Sequence, residues 1–298
     1  MYNKLIAMLF GVIGTVLFHI SKGMQQQGIE ILKHISHKIT KKTSSGVLHL
    51  KKKTLIYSIG VFLNNTIGVW IILSNRFAPA SYYTSMYGLG LIALLLYSSK
   101  ILKEDLDRNE YIGSALIVIG TLILGIEGIF RKNADLIVIN ETVIVYITLI
   151  FFIVTIVMLL FVFDRKSPIQ VGIAFGIITG GCASLDPIYK YIGQSLGGTS
   201  SFLPHTPTGT IFFVVSFFFT TGAFIMTQYA FSKHARATVL VSIQNCIYVI
   251  FPIIIQAVAL KGFHITVFTI LGMILVTVGI ILMRFFSKSK KQNKYIAS

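Results

Sequence analysis

The sequence predicts an all-α polytopic membrane helix bundle of about nine spans, arranged as two inverted four-helix repeats joined by a connecting span. Three observations lead there. Long apolar runs recur along the whole chain, each near the roughly 20 residues that a helix needs to cross the hydrocarbon core. Of the 298 residues, 54% are hydrophobic and only 12% charged, against about 25% charged in soluble domains. The charges fall in short clusters between the runs, as in a chain that solvates its loops in water and its spans in lipid.

The runs follow in order. Leu5–Lys22 is the first. It lacks an A-x-A cleavage pattern and is therefore read as a span, not a signal peptide. Leu55–Leu73, Ala78–Ser99 and Ile112–Ile129 complete a first group, repeat one, over 4–130. Val138–Phe163 is the connecting span, taken as 138–163. Ile169–Gly193, Thr210–Phe231, Ala237–Leu260 and Thr266–Phe285 form repeat two, 168–286, followed by a basic tail, 287–298. All belong to one transmembrane domain, 1–298. Met24–Lys53 is polar and carries seven lysines. It reads as an amphipathic or partly disordered loop, in which His34-Ile-Ser-His37 reads as a solvated face. Ser195–Gly209 reads as an uncharged loop.

Nine spans divide the loop charges unequally. One side collects nineteen Lys and Arg, the other five. Positively charged loops stay in the cytoplasm, so the C-terminus is expected inside the cell membrane and the N-terminus outside. The net charge of +16 thereby has a topological origin and does not call for nucleic acid. A reporter that fluoresces only in the cytoplasm should therefore light up after Ser298. One that requires export should be active after Thr199 and silent after Ser44; the reverse pattern would overturn the orientation.

Short segments recur in the same order in both groups. Ile20-Ser21-Lys22 parallels Ile188-Tyr189-Lys190, and Arg76–Ser81 parallels Lys233–Thr238. Gly113-Ser-Ala-Leu-Ile-Val-Ile-Gly120 parallels Gly272-Met-Ile-Leu-Val-Thr-Val-Gly279. With one odd span between them, the second copy enters the membrane from the opposite side. Inverted repeats of this kind build alternating gates around a midplane site in many transporters.

The layout also resembles a known family. Lys22-Gly23 is followed by a basic loop, and Phe77-Ala-Pro-Ala80 opens span three. Leu102-Lys-Glu-Asp-Leu106 closes it, and Ile112-Gly113 opens span four. On these residues the chain resembles the NIPA-like magnesium transporters of the drug/metabolite transporter (EamA-like) superfamily. The resemblance implies a two-repeat core and movement of Mg²⁺ or another divalent cation. Asn64-Asn-Thr-Ile-Gly68 holds no carboxylate where those relatives carry one, and Leu260-Lys261-Gly262-Phe263 lacks the expected glutamate.

Polar residues inside spans are costly and mark functional sites by default. In span six, Thr179, Cys182, Asp186 and Lys190 share one helix face. Asp186 is the carboxylate well inside a span and the candidate metal contact of a Mg²⁺ path. Pro187, next to it, loosens the helix and frees carbonyls. An Asp186–Lys190 pair at i,i+4 is the structural alternative, and both readings stay open. Gly172, Gly176 and Gly180 read as a packing ridge. Asn64, Asn65, Ser85, Gln228 and Asn245 extend the candidate substrate path, with interhelical hydrogen bonding as their plainer role. Cys182 and Cys246 supply no disulfide framework or CxxC pair.

No metalloprotease, P-loop or nucleophile-elbow motif is present, so no enzyme activity and no cofactor is expected. The expected function is facilitated Mg²⁺ or divalent-cation movement, with export or exchange of small organic solutes as the alternative. The expected partners are the lipid bilayer and a small ion or solute; a homodimer is compatible with this reading.

Overall fold

The computed structural model describes residues 2–28, 47–103, 106–130, 138–162, 168–196, 201–233, 235, 237–261 and 265–285. The described residues are overwhelmingly helical. Helix α1 spans Tyr2–Gly28 and α2 Val47–Phe77. A short helix α3, Ala80–Thr84, a 3-10 turn, Tyr87–Leu89, and α4, Gly90–Lys100, follow. Then come α5 (Arg108–Phe130), α6 (Glu141–Val162), α7 (Pro168–Ser195), α8 (Pro207–Ser232), α9 (Ala237–Ala259) and α10 (Val267–Phe285). Seven of these are long and apolar enough to cross a membrane. The chain is an integral membrane protein.

Nine continuous spans were expected, and the structure departs from that at two places. Helix α10 has a shorter apolar stretch, Val267–Leu282. The run Ala78–Ser99, expected as one helix, is broken between Thr84 and Gly90. The break has a tertiary cause. The hydroxyl of Thr15 on α1 donates to the Tyr87 carbonyl at 2.7 Å. Gly90 lies so close to α1 that a Cβ would sit 2.2 Å from His19 Nδ1 and 2.5 Å from Thr15 Oγ1. Only glycine permits this approach.

Local signals account for several helix ends. Asp107 precedes α5, and the carboxylate of Glu110 accepts from the Asp107 backbone N–H at 2.9 Å, the return half of a capping box. Thr206 caps α8, its hydroxyl accepting from Gly209 N at 3.0 Å, with Pro207 at the first helical position. Helix α1 runs beyond its apolar stretch to Gly28, and α2 begins at Val47, inside the segment expected as loop. Gly28 packs on Tyr57, where a Cβ would meet Tyr57 Cβ at 2.5 Å. The His34–His37 element and the tail 287–298 lie outside the described residues. A two-residue antiparallel pairing, Val138 with Lys261 and Ile139 with Leu260, ties the start of α6 to the end of α9. Elements so short carry no periodicity to read.

Helices α1 and α2 pack as one hairpin and α7 and α8 as another; α9 packs on α7, and α5 packs on α10. The α5–α10 contact is built on glycine. A Cβ on Gly279 would lie 2.5 Å from the Gly113 carbonyl oxygen, and one on Gly120 would lie 2.8 Å from that of Gly272. Helix α6 is peripheral and presents Tyr146, Ile150, Ile153 and Leu160 outward. It docks through Phe151, which fills the space beside Gly181, and through a Thr148–Tyr189 hydrogen bond of 2.8 Å.

Candidate functional site

The break in the third run places a polar cluster among buried helices. His19 is fully buried. Its Nδ1 lies 2.7 Å from the Thr15 carbonyl and its Nε2 lies 2.7 Å from Asn245 Nδ2. A carbonyl only accepts, so Nδ1 carries the proton and Nε2 accepts from the amide. The imidazole is thus held as the neutral tautomer between α1 and α9. Tyr87 stacks on Tyr248 with ring centroids 3.9 Å apart, and Phe18 and His19 both lie against Tyr87. Helix α7, which carries Asp186, packs against both α9 and the short helix α3 that carries Tyr83. Helices α1, α7 and α9 and the broken segment therefore each contribute to one cluster.

That cluster is under-satisfied. Tyr83 Oη, Tyr248 Oη, Asn245 Oδ1 and Ser242 Oγ are buried with no hydrogen-bond partner among the described residues. Native proteins rarely leave such groups orphaned, and each one asks for an explanation. Pro252 adds to the available groups, because its missing N–H leaves the Tyr248 carbonyl without its helical partner.

Asp186 and Lys190 form a buried ion pair one helical turn apart, and Lys190 Nζ also lies 4.7 Å from the Phe217 ring centroid. The amide of Asn75 on α2 donates to the Pro187 carbonyl at 3.1 Å. It thereby stitches the two hairpins together beside the ion pair. Above the pair, Gln194 donates to the Ser201 and Phe202 carbonyls, and Arg76 lies 4.1 Å over the Phe202 ring.

The other sequence-picked residues are distributed around this centre. Asn245 lies within it. Thr179 is buried, and its hydroxyl donates to the Gly176 carbonyl of its own helix at 3.3 Å. Asn64 is buried, and its Oδ1 has no hydrogen-bond partner among the described residues. Asn65 faces outward, its amide on the Val61 carbonyl. Ser85 donates to the Tyr82 carbonyl and lines a separate small pocket with Glu127 and Thr269. Gln228 accepts from Tyr57 and donates to Gln25 Oε1 at 2.6 Å.

A second buried lysine lies near that glutamine. Lys22 is 2% exposed. Its Nζ is 4.7 Å from the Phe18 ring centroid and 5.9 Å from that of Phe224. Thr15, His19, Tyr83 and Tyr87 were not picked out from the sequence. His19 had a readable signal, an ionisable residue inside a span; Tyr83 and Tyr87 had none beyond their place in an apolar run.

Comparison with protein families, curated proteins and solved structures finds no match for this chain.

Proposed function

We propose that the chain is a membrane transporter of small organic solutes, with the His19–Asn245 cluster as its binding site. The observation that carries the proposal is the set of orphaned hydroxyl and amide groups, lined by stacked aromatics, at the broken helix. Discontinuous helices that supply unpaired polar groups at the junction of two repeats are the usual construction of transporter sites. An aromatic wall with a few directional polar groups suits an organic solute.

The inverted-repeat reading draws support from glycine pairing. If Gly113 and Gly120 correspond to Gly272 and Gly279, a two-fold axis in the membrane plane pairs Gly113 with Gly279 and Gly120 with Gly272. Those are the close approaches of α5 and α10. The drug/metabolite transporter layout fits the same arrangement, with nine spans, the C-terminus in the cytoplasm and the N-terminus outside.

Mg²⁺ is the second reading. It demands near-octahedral oxygen ligands, and Asp186, its candidate contact, is already engaged by Lys190. The cluster offers an imidazole, amides and phenols instead. What favours a cation is the separate pocket where Glu127 accepts from Thr266 at 3.3 Å, beside Ser85.

Purified protein in liposomes separates the two readings. The expected result is saturable counterflow of a labelled organic solute, from a panel of amino acids, carboxylates and amines, with no Mg²⁺ influx above empty vesicles. Mg²⁺ influx with no counterflow of any panel member would overturn the proposal in favour of the cation.

A further inference from the structure

Lys22 and Lys190 occupy matching positions in the two copies, yet their surroundings differ. Lys190 has Asp186 one turn before it. At the matching place before Lys22 stands Phe18. Among the described residues Lys22 has no carboxylate partner and no hydrogen bond; its polar contacts are the faces of Phe18 and Phe224. Such ring contacts contribute at most modestly against the cost of taking an ammonium out of water. The first copy therefore buries an amine without the carboxylate that accompanies its counterpart in the second.

Its neighbours make this more than a stray charge. His19, three residues earlier on the same helix, belongs to the central cluster through its contact with Asn245. One turn later, Gln25 donates to the Gly60 carbonyl and accepts from Gln228, which in turn holds Tyr57. These amides are fixed by one another, and none carries a negative charge. Phe18 links Lys22 to Tyr87, its ring 5.0 Å from the tyrosine's. A charged head at Lys22 would thus continue into an apolar body against the aromatic wall.

We propose that Lys22 binds the carboxylate or phosphate group of a small organic anion, which makes the transported solute anionic. The assignment rests on the solute-transport reading above. The anion completes the ion pair that Asp186 completes for Lys190, and it offsets a burial cost that the unliganded protein carries. The same phosphate chemistry has a second source, a lipid headgroup. Lys22 lies six residues from the end of α1 at Gly28, about 9 Å along the helix.

The test is a thermal-unfolding titration in phosphatidylcholine nanodiscs with lactate, benzoate and glycerol 3-phosphate. At least one of these should raise the melting temperature of the wild type and of Lys22→Arg. Lys22→Gln should need at least about thirtyfold more anion for the same shift, the order expected for removing one member of a buried charge pair. Without anion, Lys22→Gln should melt no lower than the wild type, because an unpaired buried charge has been removed. Lys22→Met provides the same comparison should the glutamine variant fail to fold. Lys4→Gln should keep the wild-type response. No shift with any of the three anions, or equal shifts in wild type and Lys22→Gln, would overturn the proposal. So would stabilisation by phosphatidylglycerol alone, which would assign Lys22 to lipid. An anion-dependent shift without solute flux would leave the site standing and remove the transport reading. Flux of neutral solutes without any anion shift would do the opposite.

Discussion

Asp186→Asn should lower the stability of the folded protein by about 3–5 kcal/mol, and adding Lys190→Gln should return most of it. The single change leaves the Lys190 ammonium buried beside the Phe217 ring with its counter-charge gone. Breaking a buried pair by removing one partner costs that much, because the other charge stays uncompensated. Lys190 is fully buried, so little water reaches it to screen the loss. Removing both charges leaves no uncompensated charge, and two amides at i,i+4 can hydrogen-bond to each other. Thermal unfolding of the purified variants in nanodiscs is the measurement. A single variant as stable as wild type, or a double variant as unstable as the single, would show that the pair does not hold α7 together.

Gly279→Val should also be disruptive, for a steric reason. Its Cβ would sit 2.5 Å from the Gly113 carbonyl oxygen and 2.8 Å from Ile117 Cγ1. A backbone carbonyl cannot rotate aside as a flexible side chain can, so α5 and α10 must separate. Overpacking of this kind typically costs about 1–3 kcal/mol or more, and here the displaced surface is the whole helix pair. Gly279→Ala should sit at the lower end of that range. Gly68 on α2 is the control, since a Cβ there meets nothing within 4 Å. Gly68→Ala should be neutral or stabilising by about 0.5–1 kcal/mol through helix propensity alone. Equal melting temperatures for Gly279→Val and wild type would remove the glycine-built α5–α10 contact from the account.

The legible parts of this protein were those set by local chemistry. Apolar runs and basic loops marked the helices, because lipid forces every backbone group to be satisfied within its own segment. The i,i+4 spacing of Asp186 and Lys190 identified a pair that the structure joins. The Gly113–Gly120 and Gly272–Gly279 segments were recognised as alike, though not as partners of each other. The broken third run was not readable as a break, since Ser85–Leu89 contains no proline, and Gly88 and Gly90 equally suit close packing of an unbroken span. It breaks because Thr15 and His19, some seventy residues away, compete for its backbone and space. The central site depends on that break, so Tyr83 and Tyr87 were equally hidden. Asn65, one residue from buried Asn64, faces outward because neighbouring helix positions point about 100° apart.

A transporter of the proposed kind exposes one polar cluster in turn to both sides of the membrane. A single cysteine in place of Asn245 tests it, in a chain whose two natural cysteines, Cys182 and Cys246, are replaced by alanine. Labelling with a membrane-impermeant maleimide is measured from outside intact cells and from the interior face of inverted vesicles. The expected result is labelling from both sides, slowed on both by a transported solute. Labelling from neither side, or from one side alone under every condition, would contradict it.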